Sequence, residues 1–359
     1  MKRDMNLIEL KPSELALAVA DAIRANVVPI VLASPGMGKS DVIRQTIKSP
    51  AMLEYFKSNF GTKEKPVKEV RMVDERTSTM DLTDWRGVPD IDRKAKRTVW
   101  YPPNFLPAED DAPTVVFFDE ITQTPTNCQP PLYQLLLDRK LGTVYNAPKS
   151  TRFVAAGNLM DDGTFANKIG SALRDRMVAL YMKPDLEDWC RWAYANGIAP
   201  VVIAFIRFKP ELLYAFDKTA WASPTARGWE FVSRIVLSAQ STGRVRDALI
   251  EGKIGHGTTI EFTAFERIFA TLPSIDAILL NPDTAQLPER SKPELAYAIA
   301  NALSIKATVN NLDRAITYLN RMPEEYSVFA VKTATKRDPK LQTVPAFTKW
   351  CVDHAAAMS

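Results

Sequence analysis

The sequence predicts an α/β protein with a mostly parallel sheet covered by helices on both faces, followed by an all-helical region. Three observations carry this. Over residues 1–183 short apolar runs alternate with amphipathic helical stretches, the pattern that builds parallel sheets through crossover helices. One of those runs, Val28–Ala33, leads straight into a glycine loop that ends in Lys39-Ser40. After Lys183-Pro184 the strand-like runs stop, which divides the chain into residues 1–183 and residues 184–359.

The elements follow in order. Ser13 is a candidate N-cap behind Pro12, and Leu15, Val19 and Ile23 recur at helical spacing. Val28–Ala33 is too short for a buried helix and is bounded by turn residues, so it reads as a buried strand. A second helix is expected from Lys39 to about Ile47, and a strand over Val67–Val73. A hairpin is expected around Pro89–Lys96, inside a stretch rich in Pro, Gly and charge. Thr114–Phe118 is the third apolar run. Pro130-Pro131 opens a helix whose apolar face is Leu132, Leu135 and Leu136. Val144-Tyr145 and Arg152–Ala156 bracket Asn146-Ala147-Pro148 as a hairpin feeding a fourth strand, and Met177–Met182 is a fifth. Beyond the boundary the expected helices are Leu186–Ala195, Val201–Phe208, Trp229–Ala239, Phe262–Ala270, Lys292–Ser304 and Leu312–Leu319.

Composition narrows the chemistry. Of 359 residues 46% are apolar and 25% charged, the balance of a globular protein, and Lys plus Arg exceed Asp plus Glu by 46 to 42. Two histidines, His256 and His354, and three scattered cysteines, Cys128, Cys190 and Cys351, exclude zinc fingers, CxxC redox motifs and disulfide scaffolds. Histidine triads are disfavoured for the same reason. No stretch approaches the roughly 20 apolar residues of a membrane span, and Glu9, Glu14 and Asp21 interrupt any signal-peptide core. Unpaired cysteines fit a reducing compartment, so the expectation is a cytoplasmic protein with no membrane association.

The loop Ala33-Ser34-Pro35-Gly36-Met37-Gly38-Lys39-Ser40 matches the phosphate-binding pattern G-x-x-x-x-G-K-[ST] at every fixed position except Ala33. Glycines let successive amides turn inward on an anion, and the following helix adds its positive end. Lys39 is expected on the β- and γ-phosphates and Ser40 on Mg²⁺, with Ser34, Pro35, Gly36, Met37 and Gly38 forming the cradle. Ala33 is acceptable where its φ stays negative. The competing reading is a glycine turn with a chance Lys-Ser.

Val115–Phe118 runs into Asp119-Glu120, 80 residues after the lysine. A carboxylate there can hold Mg²⁺ with Ser40, and the next one can polarise an attacking water as general base. Alone, such a strand end is ordinary. Paired with the glycine loop it completes a site.

These stretches, with Arg152–Asn158, resemble an AAA+ ATPase, and within that group the MoxR-like, dynein-related branch. Met80–Pro89, Pro131–Arg139 and Ala172–Met177 carry the same likeness, which is good over about residues 13–183, thinner to about 240 and weak beyond. The resemblance implies ATP and Mg²⁺ as ligands and Asn158 as sensor 1, orienting the attacking water. It implies Arg176, with Arg174 a close second, as an arginine finger reaching a neighbouring subunit's nucleotide. Arg227 in Ser223–Trp229 resembles the sensor-2 arginine, although Thr225 and Ala226 separate it from Pro224, where the family places the arginine directly after the proline. For Arg174 and Arg176 a salt bridge at a helix end stays open, and for Arg227 an exposed helix-start arginine.

The resemblance further implies a ring-forming homo-oligomer, a hexamer, that acts as a chaperone on a separate protein partner, one with a von Willebrand factor A domain. Trp85–Tyr101 and Leu141–Arg152 fall where MoxR-like proteins carry pore-facing insertions. The first holds Arg93-Lys94-Ala95-Lys96-Arg97, four basic residues in five, which reads either as a solvated hairpin tip or as a substrate or nucleic-acid contact. A nucleic-acid motor or loader is therefore the alternative function, and a nucleotide-bound scaffold a third, opposed by Glu120 and Asn158. Trp85 and Trp100 read as packed aromatics. Gly252–Thr259 imitates a second phosphate loop but lacks the strand before it, so it reads as a helix–helix connection with His256 in the loop.

Overall fold

The computed structural model describes residues 8–159, 169–270, 274–289 and 293–354. The chain divides into two compact units, Met1–Asp188 and Trp189–Ser359.

In the first unit the strands are β1 (Glu9–Leu10), β2 (Pro29–Leu32), β3 (Arg71–Arg76), β4 (Val88–Asp92), β5 (Arg97–Tyr101), β6 (Thr114–Asp119), β7 (Lys140–Leu141), β8 (Tyr145–Asn146), β9 (Arg152–Gly157) and β10 (Val178–Met182). Its helices are α1 (Pro12–Arg24), α2 (Lys39–Ile47), α3 (Pro50–Phe60), α4 (Leu82–Arg86), α5 (Gln129–Asp138) and α6 (Ser171–Arg174). Among the described residues six strands form one parallel sheet in the order β1-β10-β2-β9-β6-β3. The α/β class read from the sequence is the class observed.

Alternation of side chains across the central strands builds two cores. Ile30, Leu32, Val116, Phe118, Phe153 and Ala155 face α5 and the long β3–β6 connection. Val31, Val115, Phe117, Val154 and Ala156 face α1, α2 and α3. Strands buried on both faces need continuous apolar runs, and these have them. Phe117, Phe118, Val154 and Ala155 are fully buried, each large side chain contributing about 1.5–3 kcal/mol of burial.

Several expectations are corrected. The strand expected at Val67–Val73 lies at Arg71–Arg76, because its register is set by β6, from Arg71 opposite Thr114 to Arg76 opposite Asp119. As an edge strand it tolerates Asp74, Glu75 and Arg76. Tyr145-Asn146 pairs back onto Lys140-Leu141 rather than forward onto Arg152–Ala156, which belong to the main sheet. The two-residue β1 and the helix α3 were not expected.

The second unit is helical, and α7 (Leu186–Ala195) spans the division. It is followed by α8 (Pro200–Phe208), α9 (Ala226–Ser238), α10 (Arg244–Ile254), α11 (His256–Ala270) and α12 (Ile275–Leu280). Then come α13 (Pro293–Lys306), α14 (Leu312–Leu319), α15 (Glu324–Arg337) and α16 (Pro345–Asp353). The connection expected over Gly252–Thr259 shrinks to Gly255, whose φ of 82° ends α10, and His256 opens α11 instead of lying in a loop. Among the described residues no helix is long and apolar enough to cross a membrane.

Candidate functional site

The sheet order decides what can meet. β9 lies between β2 and β6, so the residues that leave the carboxyl ends of these three strands converge: the glycine loop, Asn158, and Asp119-Glu120. Open α/β sheets bind ligands at this edge.

The loop is built as its composition requires. Gly36 and Gly38 have φ of 79° and 91°, the left-handed region that disfavours side chains. Gly38 is the N-cap of α2, and nothing lies within 4 Å of where its Cβ would stand. The helix N-terminus therefore faces an open cradle. Ala33, the departure from the pattern, has no positive φ; it is fully buried, and its amide donates to the Gly157 carbonyl at 3.3 Å. A first-position glycine is not needed there. Ser34 is buried, while Pro35, Gly36, Met37, Gly38, Lys39 and Ser40 are half-buried.

The polar side chains are already joined. The Lys39 ammonium donates to Asn158 Oδ1 at 2.5 Å and approaches the Ala33 carbonyl at 3.5 Å. Ser40 Oγ donates to Asp119 Oδ2 at 2.8 Å, so hydroxyl and carboxylate are placed as a pair. Asp119 is buried, and its other oxygen accepts the Glu120 amide at 2.9 Å. Glu120 has φ of 57°, unusual for a residue with a side chain, and this turn separates its carboxylate from that of Asp119. Glu120 Oε2 accepts a 2.5 Å hydrogen bond from Ser78 Oγ.

A threonine scaffold sets these positions. Thr77 Oγ1 donates to the Asp119 carbonyl at 3.2 Å and accepts from Thr124 Oγ1 at 2.7 Å. The Asn158 amide donates to Thr122 Oγ1 at 3.0 Å. A Cβ on Gly157 would stand 2.4 Å from Thr122 Cγ2, so only glycine lets β9 approach this closely. Ser78, Thr77, Thr122 and Thr124 were missed in the sequence. The available signal was their position at the ends of β3 and β6, the strand ends that flank the site.

Arg174 and Arg176 make no contact with this cluster among the described residues. Arg174 ends α6 and is exposed. Arg176 turns back on its own unit, donating to the Ala172 carbonyl at 2.5 Å, with its guanidinium 5.7 Å from the Tyr133 ring centre. Arg227 belongs to the second unit, exposed at the second position of α9. Thr225 caps that helix by accepting the Gly228 amide at 3.0 Å.

Among the described residues no three His, Cys, Asp or Glu side chains form a metal cluster. The donor set present, one hydroxyl and one carboxylate beside a phosphate cradle, fits Mg²⁺, which keeps several waters and takes its remaining ligands from substrate phosphates.

No protein-family model matches the sequence, and no curated protein matches it. Among solved structures the chain is similar to NtrX from Brucella abortus in complex with ADP, at 14% identity over 95% of this chain and 70% of that one, TM-score 0.38. NtrX in complex with ATP aligns at 12% identity over 94% and 69%, TM-score 0.39. A candidate ATPase from Cytophaga hutchinsonii aligns at 12% identity over 88% and 78%, TM-score 0.32. These are distant overall resemblances, and the site is read from its own residues.

Proposed function

We propose that the chain binds Mg²⁺·ATP and hydrolyses it at the carboxyl edge of the sheet. The observation that carries this is the convergence of Lys39, Ser40, Asp119, Asn158 and Glu120 from three adjacent strands, beside an open glycine cradle at a helix N-terminus.

In this reading the loop amides and Lys39 bind the phosphates. Ser40 and Asp119 hold Mg²⁺, which when bound neutralises charge developing on the phosphate oxygens. Glu120 takes the proton of the attacking water, and Asn158 orients that water. The Ser40–Asp119 bond holds hydroxyl and carboxylate together as a pair before a ligand arrives, which limits reorganisation on metal binding.

The chain is further proposed to work as a ring, a hexamer, with Arg176 or Arg174 completing a neighbour's site and Arg227 acting as a sensor of the nucleotide. Turnover then drives remodelling of a separate partner protein complex in the cytoplasm. Support for this finer reading is the sequence resemblance over about residues 13–183, and for the compartment the three free cysteines among the described residues.

Lys39→Ala is expected to abolish ATP binding measured by titration calorimetry. Glu120→Gln is expected to keep that binding while slowing phosphate release by about 10²–10⁴-fold. Unchanged affinity in the first variant, or normal turnover in the second, overturns the assignment.

A further inference from the structure

The hairpin β4–β5 is used by no part of the nucleotide site. It is an isolated two-stranded ribbon, from Val88 opposite Tyr101 to Asp92 opposite Arg97. Its base is fixed. Trp85, fully buried just before it, packs edge-on against Phe105 at 5.6 Å and lies 5.8 Å from Phe118 of β6. Gly87, with φ of 74°, brings the backbone so close that a Cβ there would stand 1.9 Å from the Tyr101 carbonyl oxygen. From that base five residue pairs extend about 17 Å at roughly 3.4 Å per residue.

The tip carries Arg93, Lys94, Lys96 and Arg97, all exposed. Among the described residues none of the four has an ion-pair or hydrogen-bond partner for its side chain, although Asp92 stands opposite Arg97. Asp92 is committed elsewhere: its Oδ1 accepts the amides of Lys94 and Ala95 at 3.0 and 2.9 Å, and Asp90 accepts the Ile91 amide at 2.7 Å. With Lys96 at φ of 49°, these bonds hold the turn in one shape. Four surface cations elsewhere in the first unit are paired: Arg24 with Asp21, Arg44 with Asp74, Lys65 with Asp110 and Arg71 with Asp111. The four tip residues also equal the net charge of the whole chain: without them 42 basic residues face 42 acidic ones.

We propose that this hairpin docks duplex DNA by entering its major groove. A two-stranded ribbon fits a groove about 12 Å wide, whereas the deep, narrow major groove of duplex RNA excludes it. Arg93, Lys94 and Lys96 in the turn, with Arg97 at the start of β5, then meet backbone phosphates within the groove. This rests on the hairpin alone and not on the nucleotide reading.

The test uses the full chain without nucleotide and a fluorescein-labelled 20-base-pair duplex, with anisotropy read from 50 to 300 mM salt. Binding is expected to weaken with salt. The variant R93Q/K94Q/K96Q/R97Q should lose at least about 10-fold in affinity at 50 mM and flatten the log–log salt slope by up to about 3.6 per hairpin, for four phosphate contacts. R93K/R97K, which keeps the charge, should stay within about 3-fold of wild type. A charge-matched control at exposed sites before, on and after α3, K48Q/K57Q/K63Q/K68Q, should fall far less than the hairpin variant. No duplex binding, equal losses in the hairpin variant and the control, or competition by polyglutamate or duplex RNA as strong as by duplex DNA each overturns the proposal. Lys39→Ala should bind the duplex like wild type, so failure of the ATP reading leaves this measurement interpretable.

Discussion

Ser78 and Glu120 show how a single hydroxyl bears on a carboxylate proposed as the base. The 2.5 Å bond from Ser78 occupies one oxygen of the proposed base, and the positive φ of Glu120 aims the carboxylate at that partner. A carboxylate that already accepts a proton donor is a weaker acceptor for water. Ser78→Ala is therefore expected to raise basal ATP turnover severalfold while leaving ATP affinity unchanged, read by phosphate release and calorimetry on one preparation. A fall in turnover would mean that Ser78 holds Glu120 in its working position. Lys39, Ser40, Asp119, Glu120 and Asn158 could be named as candidates because their residue types and spacing fit the proposed chemistry. Ser78 and Thr122 were not legible, since nothing local distinguishes a hydroxyl that meets a carboxylate or amide 42 or 36 residues away.

At the scale of elements, legibility followed the apolar runs. β2, β6, β9, α2, α7 and α14 fall where the pattern puts them, because each is either continuously apolar or cleanly amphipathic. α15 hid because its buried positions include Ser327, Thr333 and Thr335, polar residues with no apolar period. They are satisfied inside the fold: Thr335 Oγ1 donates to the Val331 carbonyl at 2.9 Å, and Trp350 Nε1 donates to Ser327 Oγ at 2.9 Å. α3 was missed although Ser49-Pro50 is a helix start, with Ser49 Oγ accepting the Met52 amide at 3.3 Å. Gly87 supplies the prediction for the hairpin. Gly87→Ala forces a side chain at φ of 74° against a backbone oxygen, which should cost about 1–3 kcal/mol. A lower midpoint in urea denaturation checks it, and a midpoint unchanged within error contradicts the close approach.

For the whole molecule the question is whether one chain completes its own site. Arg176 is folded onto Tyr133 and the Ala172 carbonyl, and Arg174 is exposed beside it. Neither reaches the cluster of Lys39, Asp119 and Asn158 among the described contacts, which suits groups that act on another copy. Mixing Lys39→Ala subunits with Arg174→Ala/Arg176→Ala subunits should restore part of the ATPase activity that each lacks alone, because some interfaces then pair an intact loop with intact arginines. Arginines supplied across an interface contribute about 10³–10⁵ in rate, so even scarce intact interfaces stand out above background. No recovery at any ratio would assign both arginines to their own chain. In the sequence the strand-like runs end after Lys183, whereas the first compact unit ends at Asp188. Residues 240–359 gave no functional signal because helix packing there is written in volume and polarity, not in a motif.

In the proposed function the Lys39–Asn158 bond acts as an interlock. An ammonium held by an amide must give up that partner to grip a phosphate, and the same exchange liberates the amide oxygen that would steer water. Arrival of the triphosphate and readiness of the water-steering group thus become one event. An empty site keeps its own trigger latched.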